Sequence, residues 1–181
     1  MWQDSRLCAQ LGIEHPILQA PMAGASTPAL VAAVSNCGGL GGLGAAGMSP
    51  DVLRRQVQAI KDGTDRPFNV NLFNADTEQF DHAVKPSSAL TSQLEKYHRE
   101  YGLGEVPAVK GLFGPAQSQL EVLLEEGVAV ISLHFGTSAE TVQRIHETKA
   151  QIVCSATTAT EARQLEDIGV DVIVAQGGES G

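Results

Sequence analysis

The stretch VAVISLHFGTSAETVQRIHETKAQIVCSATTATEARQLEDIGVDVIVA, residues 128–175, decides the fold class. Three of its runs, Val128–Phe135, Gln151–Ser155 and Val170–Ala175, are short and almost continuously apolar. That pattern belongs to strands covered on both faces, as in a parallel sheet, rather than to strands with one wet face. Between them, Ser138 opens the helical pattern AETVQRIHETK, and Thr158 or Thr160 opens EARQLEDIG, which Gly169 ends. Strand and helix alternate with connections of a few residues, the mark of right-handed βαβ units.

Working outward, the same alternation continues toward the N-terminus. Strand-like runs lie at Pro16–Ala23 (PILQAPMA), Leu40–Leu43 and Phe68–Phe73 (FNVNLF). Ser26 or Thr27, with Pro28 in the first turn, opens a helix through ALVAAVSN to Cys37-Gly38-Gly39. Ser49-Pro50 opens DVLRRQVQAIKDG, whose Val52, Leu53, Val57 and Ile60 mark one apolar face, and Pro115 starts AQSQLEVLLEEG. Residues 74–110 interrupt the rhythm with a polar segment holding the helical pattern SALTSQLEKYHREYG. As an insertion at the C-terminal edge of the third strand it admits two readings, a lid over an active face or a solvated excursion. Six strands satisfy a doubly wound open sheet but leave a (β/α)8 barrel incomplete, so pattern alone keeps both architectures open.

Bulk properties bound the function. With 43% apolar and 18% charged residues the chain has the composition of a globular domain. A net charge of −9 and a pI near 4.9 argue against non-specific binding to nucleic acid or to anionic membranes. No apolar run approaches the ~18 residues of a membrane span, and no apolar segment behind a basic N-terminus reads as a signal peptide. Cys8, Cys37 and Cys154 are scattered with no CxxC pair. They predict reduced thiols of a cytoplasmic protein, no metal site, and in Cys154 an inert buried thiol. His15, His82, His98 and His146 fall in loop or helical segments and are read as solvated.

The chemistry points to strand ends. The first strand finishes in Gln19-Ala20-Pro21-Met22-Ala23-Gly24, where a backbone leaving the sheet at small residues offers a surface to a flat ring. The second strand is framed by CGGLGGLGAAG, residues 37–47. Its glycines precede and follow the strand, without the strand-GxGxxG-helix order of a dinucleotide fingerprint. The glycines at strand ends and turns suit close approach of the backbone to a ligand.

Taken in order, HPILQAPMAGASTPALVAAVSNCGGLGGLGAAG, PFNVNLF, SLHFG and VDVIVAQGGESG resemble the nitronate monooxygenases, formerly 2-nitropropane dioxygenases. The resemblance covers nearly the whole chain outside 74–110. It implies an α/β, TIM-like (β/α)8 barrel with about six strands in this chain, and FMN as cofactor. It implies oxidation of alkyl nitronates or nitroalkanes with O₂ to a carbonyl compound and nitrite. On matching positions, Ala20, Pro21 and Met22 would lie beside the isoalloxazine ring, while Asn71, Gln176 and Gly181 would contact FMN. His134 would line the substrate pocket, and Glu179 would order its loop. The acidic-small-Gly-Gly-His run of the family begins here at Glu179-Ser180-Gly181. The expected catalytic His would fall about two residues past the last one, and the Gly-rich phosphate loops of later strands would also lie beyond it. On that expectation the 181-residue chain is an incomplete barrel and an inactive fragment. A flavin-type enoyl-acyl-carrier-protein reductase and a non-catalytic truncated product are the rival readings. The oligomeric state is left open.

Overall fold

The computed structural model describes residues 5–73, 86–107 and 115–178. Two compact units arise from it, Met1–Asp76 with Phe113–Gly181, and Thr77–Leu112.

In the larger unit, six strands form one parallel sheet: β1 (Met22–Ala23), β2 (Gly41–Gly44), β3 (Phe68–Phe73), β4 (Val130–His134), β5 (Gln151–Ala156) and β6 (Val172–Ala175). The helices are α1 (Arg6–Leu11), α2 (Pro28–Asn36), α3 (Pro50–Gly63), α5 (Ala116–Glu125), α6 (Ala139–Glu147) and α7 (Ala159–Asp167). In the smaller unit lies α4 (Ser88–Glu100), capped by Ser87 on the Leu90 amide and followed by Gly102 in the left-handed region. Leu90, Leu94, Tyr97 and Tyr101 recur along α4 at helical spacing and are all exposed.

Spatial strand order equals sequence order, β1 to β6, with every pair parallel. A doubly wound sheet reverses direction at a switch point; this one never does, and it winds as a barrel does. Side-chain alternation says the same. Leu43, Val70, Leu72, Ile131, Leu133, Ile152 and Cys154 share one core with residues of α2, α3, α5, α6 and α7. The alternate positions of β3 to β5, among them Asn69, Asn71, Ser132 and His134, belong to the opposite, inner face. Helices α2, α3, α5, α6 and α7 therefore lie on one face. The sheet is the wall of a β/α barrel, not the middle layer of a sandwich.

The inner face is closed at its N-terminal end by α1, for which the sequence reading assigned no element. Its Cys8 and Leu11, with Ile13 and Leu40, pack on Val130 and Val153. Gln10 donates to Gln151 Oε1 (3.2 Å) and to the Asp171 carbonyl (3.0 Å), tying the helix to the starts of β5 and β6. Six residues are too few to show a helical period, and Ser5 makes no side-chain cap bond; only Gly12, at φ 68°, marks its end.

Strand 1 departs from the expected continuous run Pro16–Ala23. It bridges Leu18 to Leu40, just before β2, pairs with β2 itself at Met22–Ala23, and leaves the ladder between. Pro21 has no N–H to give. The side chain of Gln19 takes up the missing pairing: its Oε1 accepts from the Gly42 amide (3.2 Å) and its Nε2 donates to the Gly42 carbonyl (3.0 Å). The glycines also sit differently from the reading above. Gly41, Gly42 and Gly44 lie inside β2, and what approaches them is protein backbone: Val31 of α2, Gln19 and Met22–Ala23. The approach that the sequence suggested for a ligand is, at these three positions, the packing of β1 and α2 on the strand.

Smaller choices resolve simply. Thr27, not Ser26, caps α2, and Thr158, not Thr160, caps α7. Cys154 is buried as expected, and desolvation pushes its thiol up to about 12, so it holds no thiolate near neutral pH. His146 is not simply solvated: its Nε2 lies 2.9 Å from Asp171 Oδ2, an oxygen that also accepts from the Ile152 amide. His82 lies outside the described residues.

Candidate active site

In a singly wound parallel sheet the functional end is the carboxyl end of the strands, where the βα loops gather. Register defines what stands there. Gly44, Asn71 and Ser132 occupy one rank across β2 to β4, and Phe73 pairs with His134 two residues higher. Ala156 pairs with Ala175, directly below Gln176. The expected site residues of β1, β3, β4 and β6 are thus brought to one edge of the sheet.

Ala20 and Met22 are exposed, Met22 at 44%. The segment is held firmly despite its exposure. Ser26 is buried, accepts from the Met22 amide (2.9 Å) and from Gln19 Nε2 (3.2 Å), and donates its own amide to the Met22 carbonyl (2.9 Å). Gly24, at φ 77°, closes this turn.

Asn71 is half-buried, and its amide orientation is fixed by chemistry. Its Nδ2 lies 3.3 Å from the Ser132 carbonyl, which can only accept, so the group there must be the donor. The same Nδ2 donates to Ser132 Oγ (3.0 Å). The Oδ1 consequently points away from Ser132 as an acceptor, with no hydrogen bond to it from any described residue. One layer deeper, Asn69 Nδ2 donates to the same Oγ (2.9 Å), while Asn69 Oδ1 is buried without a partner. Ser132 and Asn69 were not singled out by the sequence reading. Both are small polar residues at inward positions of otherwise apolar strands, a signal visible only once the inner face is known.

His134 ends β4, half-buried, with Nδ1 at 3.1 Å from Ser155 Oγ. A hydroxyl can donate or accept, so this contact leaves the tautomer open. The imidazole stacks in an aromatic group, 5.6 Å from the Phe73 ring and 4.3 Å from the Phe135 ring. Gln176 follows β6, half-buried; its amide N–H donates to the Ala156 carbonyl (2.9 Å), and its side chain bonds to no described residue. Gly181, Glu179 and Ser180 lie outside the described residues. Behind the rim, the fully buried Gln119 of α5 donates to the Ala45 and Met48 carbonyls (2.9 and 2.7 Å), pinning the loop after β2.

Among the described residues no group of three or more His, Cys, Asp or Glu side chains is placed to hold a metal ion. None of the described helices is long and apolar enough to cross a membrane. The rim instead offers neutral amides, one imidazole and an apolar, aromatic surface, a set that suits an uncharged planar ring better than a cation.

The family model for nitronate monooxygenase matches residues 4–181. The chain belongs to the nitronate monooxygenase family. It is similar to the nitronate monooxygenase of Paraburkholderia phytofirmans, at 44% identity over 94% of this chain and 47% of the relative. It is also similar to that of Pseudomonas aeruginosa, at 39% identity over 97% of this chain and 51% of the relative. The chain thus spans about half the length of the curated relatives it matches. Among solved structures, nitroalkane oxidase from Streptomyces ansochromogenes superposes with a TM-score of 0.83 at 34% identity, covering 98% of this chain and 50% of that one. A mutant of FabK from Thermotoga maritima gives 0.73 at 30% identity, covering 98% and 47%. These superpositions agree with the winding of the sheet.

Proposed function

We propose that this member of the nitronate monooxygenase family holds FMN at the carboxyl edge of its strands and oxidises alkyl nitronates with O₂, giving a carbonyl compound and nitrite. The observation that carries the reading is the family match over residues 4–181, together with Ala20–Met22, Asn71, His134 and Gln176 standing along the carboxyl edge of the sheet. The residues fit the cofactor. The exposed Ala20-Pro21-Met22 backbone offers a flat face for an isoalloxazine ring, and two amide side chains offer hydrogen bonds. With its N–H turned toward Ser132, Asn71 presents an acceptor and so selects a ring N–H. FMN, when bound, supplies the electron transfer between substrate and O₂.

The chain's own residues position and stabilise. A nitronate already carries its negative charge, so no proton has to be removed from carbon. In the tautomer with its proton on Nε2, which bonds to no described residue, His134 would donate an N–H to the nitro oxygens beside the rings of Phe73 and Phe135. A neutral nitroalkane needs in addition a general base at its α-carbon. In the full-length gene product, purified with FMN, propyl-2-nitronate under air is expected to release nitrite. A yellow protein that releases none from any nitronate, yet oxidises NADPH with an enoyl thioester, would identify it as the reductase instead.

Asn71→Ala and Gln176→Ala are each expected to weaken FMN binding about fivefold, the worth of one neutral hydrogen bond. Fluorescence titration of the apoprotein measures this. Ser132→Ala should weaken FMN in the same direction by freeing the Asn71 amide. The double variant with Asn71→Ala should lose little more than Asn71→Ala alone. Additive losses would show that Ser132 does not act through Asn71.

A further inference from the structure

We infer that Phe135, backed by Phe73, is the specificity-determining wall against which the alkyl part of the substrate packs. The inference rests on the functional reading above and adds to it the recognition of chain length. It begins with a conformation. Phe135 has φ 70°, and Gly136 follows at φ 86°. Two consecutive left-handed residues end β4, and the first is a bulky aromatic, for which that region is disfavoured. A glycine there would relieve the strain, as it does at the next position.

What the strain achieves is visible in the side chains. In a continuing strand His134 and Phe135 would point to opposite faces. His134 pairs in register with Phe73 on the inner face, so Phe135 would turn outward toward the helices. The left-handed turn reverses this. The Phe135 ring lies 4.3 Å from the His134 ring and meets the Phe73 ring edge-on at 5.2 Å. Three rings, those of Phe73, His134 and Phe135, are thus gathered on one side of the rim. The Phe135 ring remains 50% exposed. A strained, half-exposed aromatic beside His134 at the rim gives an alkyl group an apolar surface to meet. His134 takes the anionic head, and Phe135 and Phe73 take the hydrocarbon that follows it.

The test is the binding of the linear carboxylates acetate, propionate, butyrate and valerate, which share the planar anion of a nitronate. Calorimetry on the full-length, FMN-loaded protein reads each affinity. In the wild type each added methylene is expected to tighten binding severalfold, up to about fourfold for a fully buried one. Phe135→Ala should flatten that rise toward no gain per methylene, with acetate as the reference, and Phe135→Leu should keep most of it. KM values for ethyl, propyl and butyl nitronate should follow the same order. Should Phe135→Ala misfold, Phe135→Gly accepts the left-handed backbone without strain and carries the same expectation. An unchanged rise in the variants, or an equal loss for every acid with the rise intact, overturns the wall. So does a wild type that oxidises nitronates but shows no rise along the series. A wild type that oxidises no nitronate instead removes the functional reading, and the wall with it.

Discussion

Gly41→Ala is expected to prevent folding, or to leave a protein that melts many degrees below the wild type. A Cβ on Gly41 would stand 2.1 Å from the carbonyl oxygen of Val31 and within 2.9 Å of its C and Cα. Those atoms are helix backbone, and Val31 is itself fully buried, so no rotamer change makes room. Relief requires α2 to move off the sheet, which opens the contacts of Val31 in the main core. Overpacking a core against side chains costs roughly 1–3 kcal/mol, and against fixed backbone the cost should reach or exceed the upper end. Against a total stability on the order of 5–15 kcal/mol, that is a large share. The same substitution at Gly47, where a Cβ meets nothing within 4 Å, is the control and should be tolerated. Urea unfolding of both variants in the full-length protein gives the comparison. A Gly41→Ala midpoint close to that of Gly47→Ala would mean that α2 does not ride on β2 as described.

That glycine strand also shows where the sequence could and could not be read. The apolar runs of β3, β4 and β5 were legible almost to the residue, because each is a continuous buried segment bounded by turn residues. The helix starts at Ser49 and Ser138 were legible, and those at Thr27 and Thr158 to within two residues, because each hydroxyl caps an amide three residues on. Two things were hidden. The role of the glycines inside β2 was hidden, since nothing in one dimension distinguishes a backbone that approaches a cofactor from one that approaches a neighbouring helix. The partition of the inner face was hidden too. Asn69 and Asn71 look alike in FNVNLF, yet Asn69 is buried and Asn71 stands at the rim with its acceptor turned away from Ser132. Likewise, the SLHFG run predicted a role for His134, whereas the turn that brings Phe135 beside it appears only as a backbone angle.

Produced by itself, the 181-residue polypeptide is expected to self-associate rather than run as a 19.0 kDa monomer. Among the described residues β1 and β6 each have one strand neighbour, so each presents a free edge of N–H and C=O groups. The two edges differ in risk. At β1 only Met22 and Ala23 are in strand conformation, and Pro21 and the Gln19 side chain interrupt the ladder before them. A short edge beside a proline is a poor template. At β6 the residues are Val172, Ile173, Val174 and Ala175, apolar throughout, with Val174 42% exposed. No charge or proline blunts that strand, and its β-branched residues favour a further partner. Light scattering on the eluting peak should therefore give a mass above the monomer that rises with concentration, and any added FMN should separate from it. Val174→Lys places a charge on the exposed strand and should shift the distribution back toward the monomer. A single concentration-independent species at 19.0 kDa that retains FMN would show that the β6 edge is not adhesive and that six strands hold the cofactor on their own.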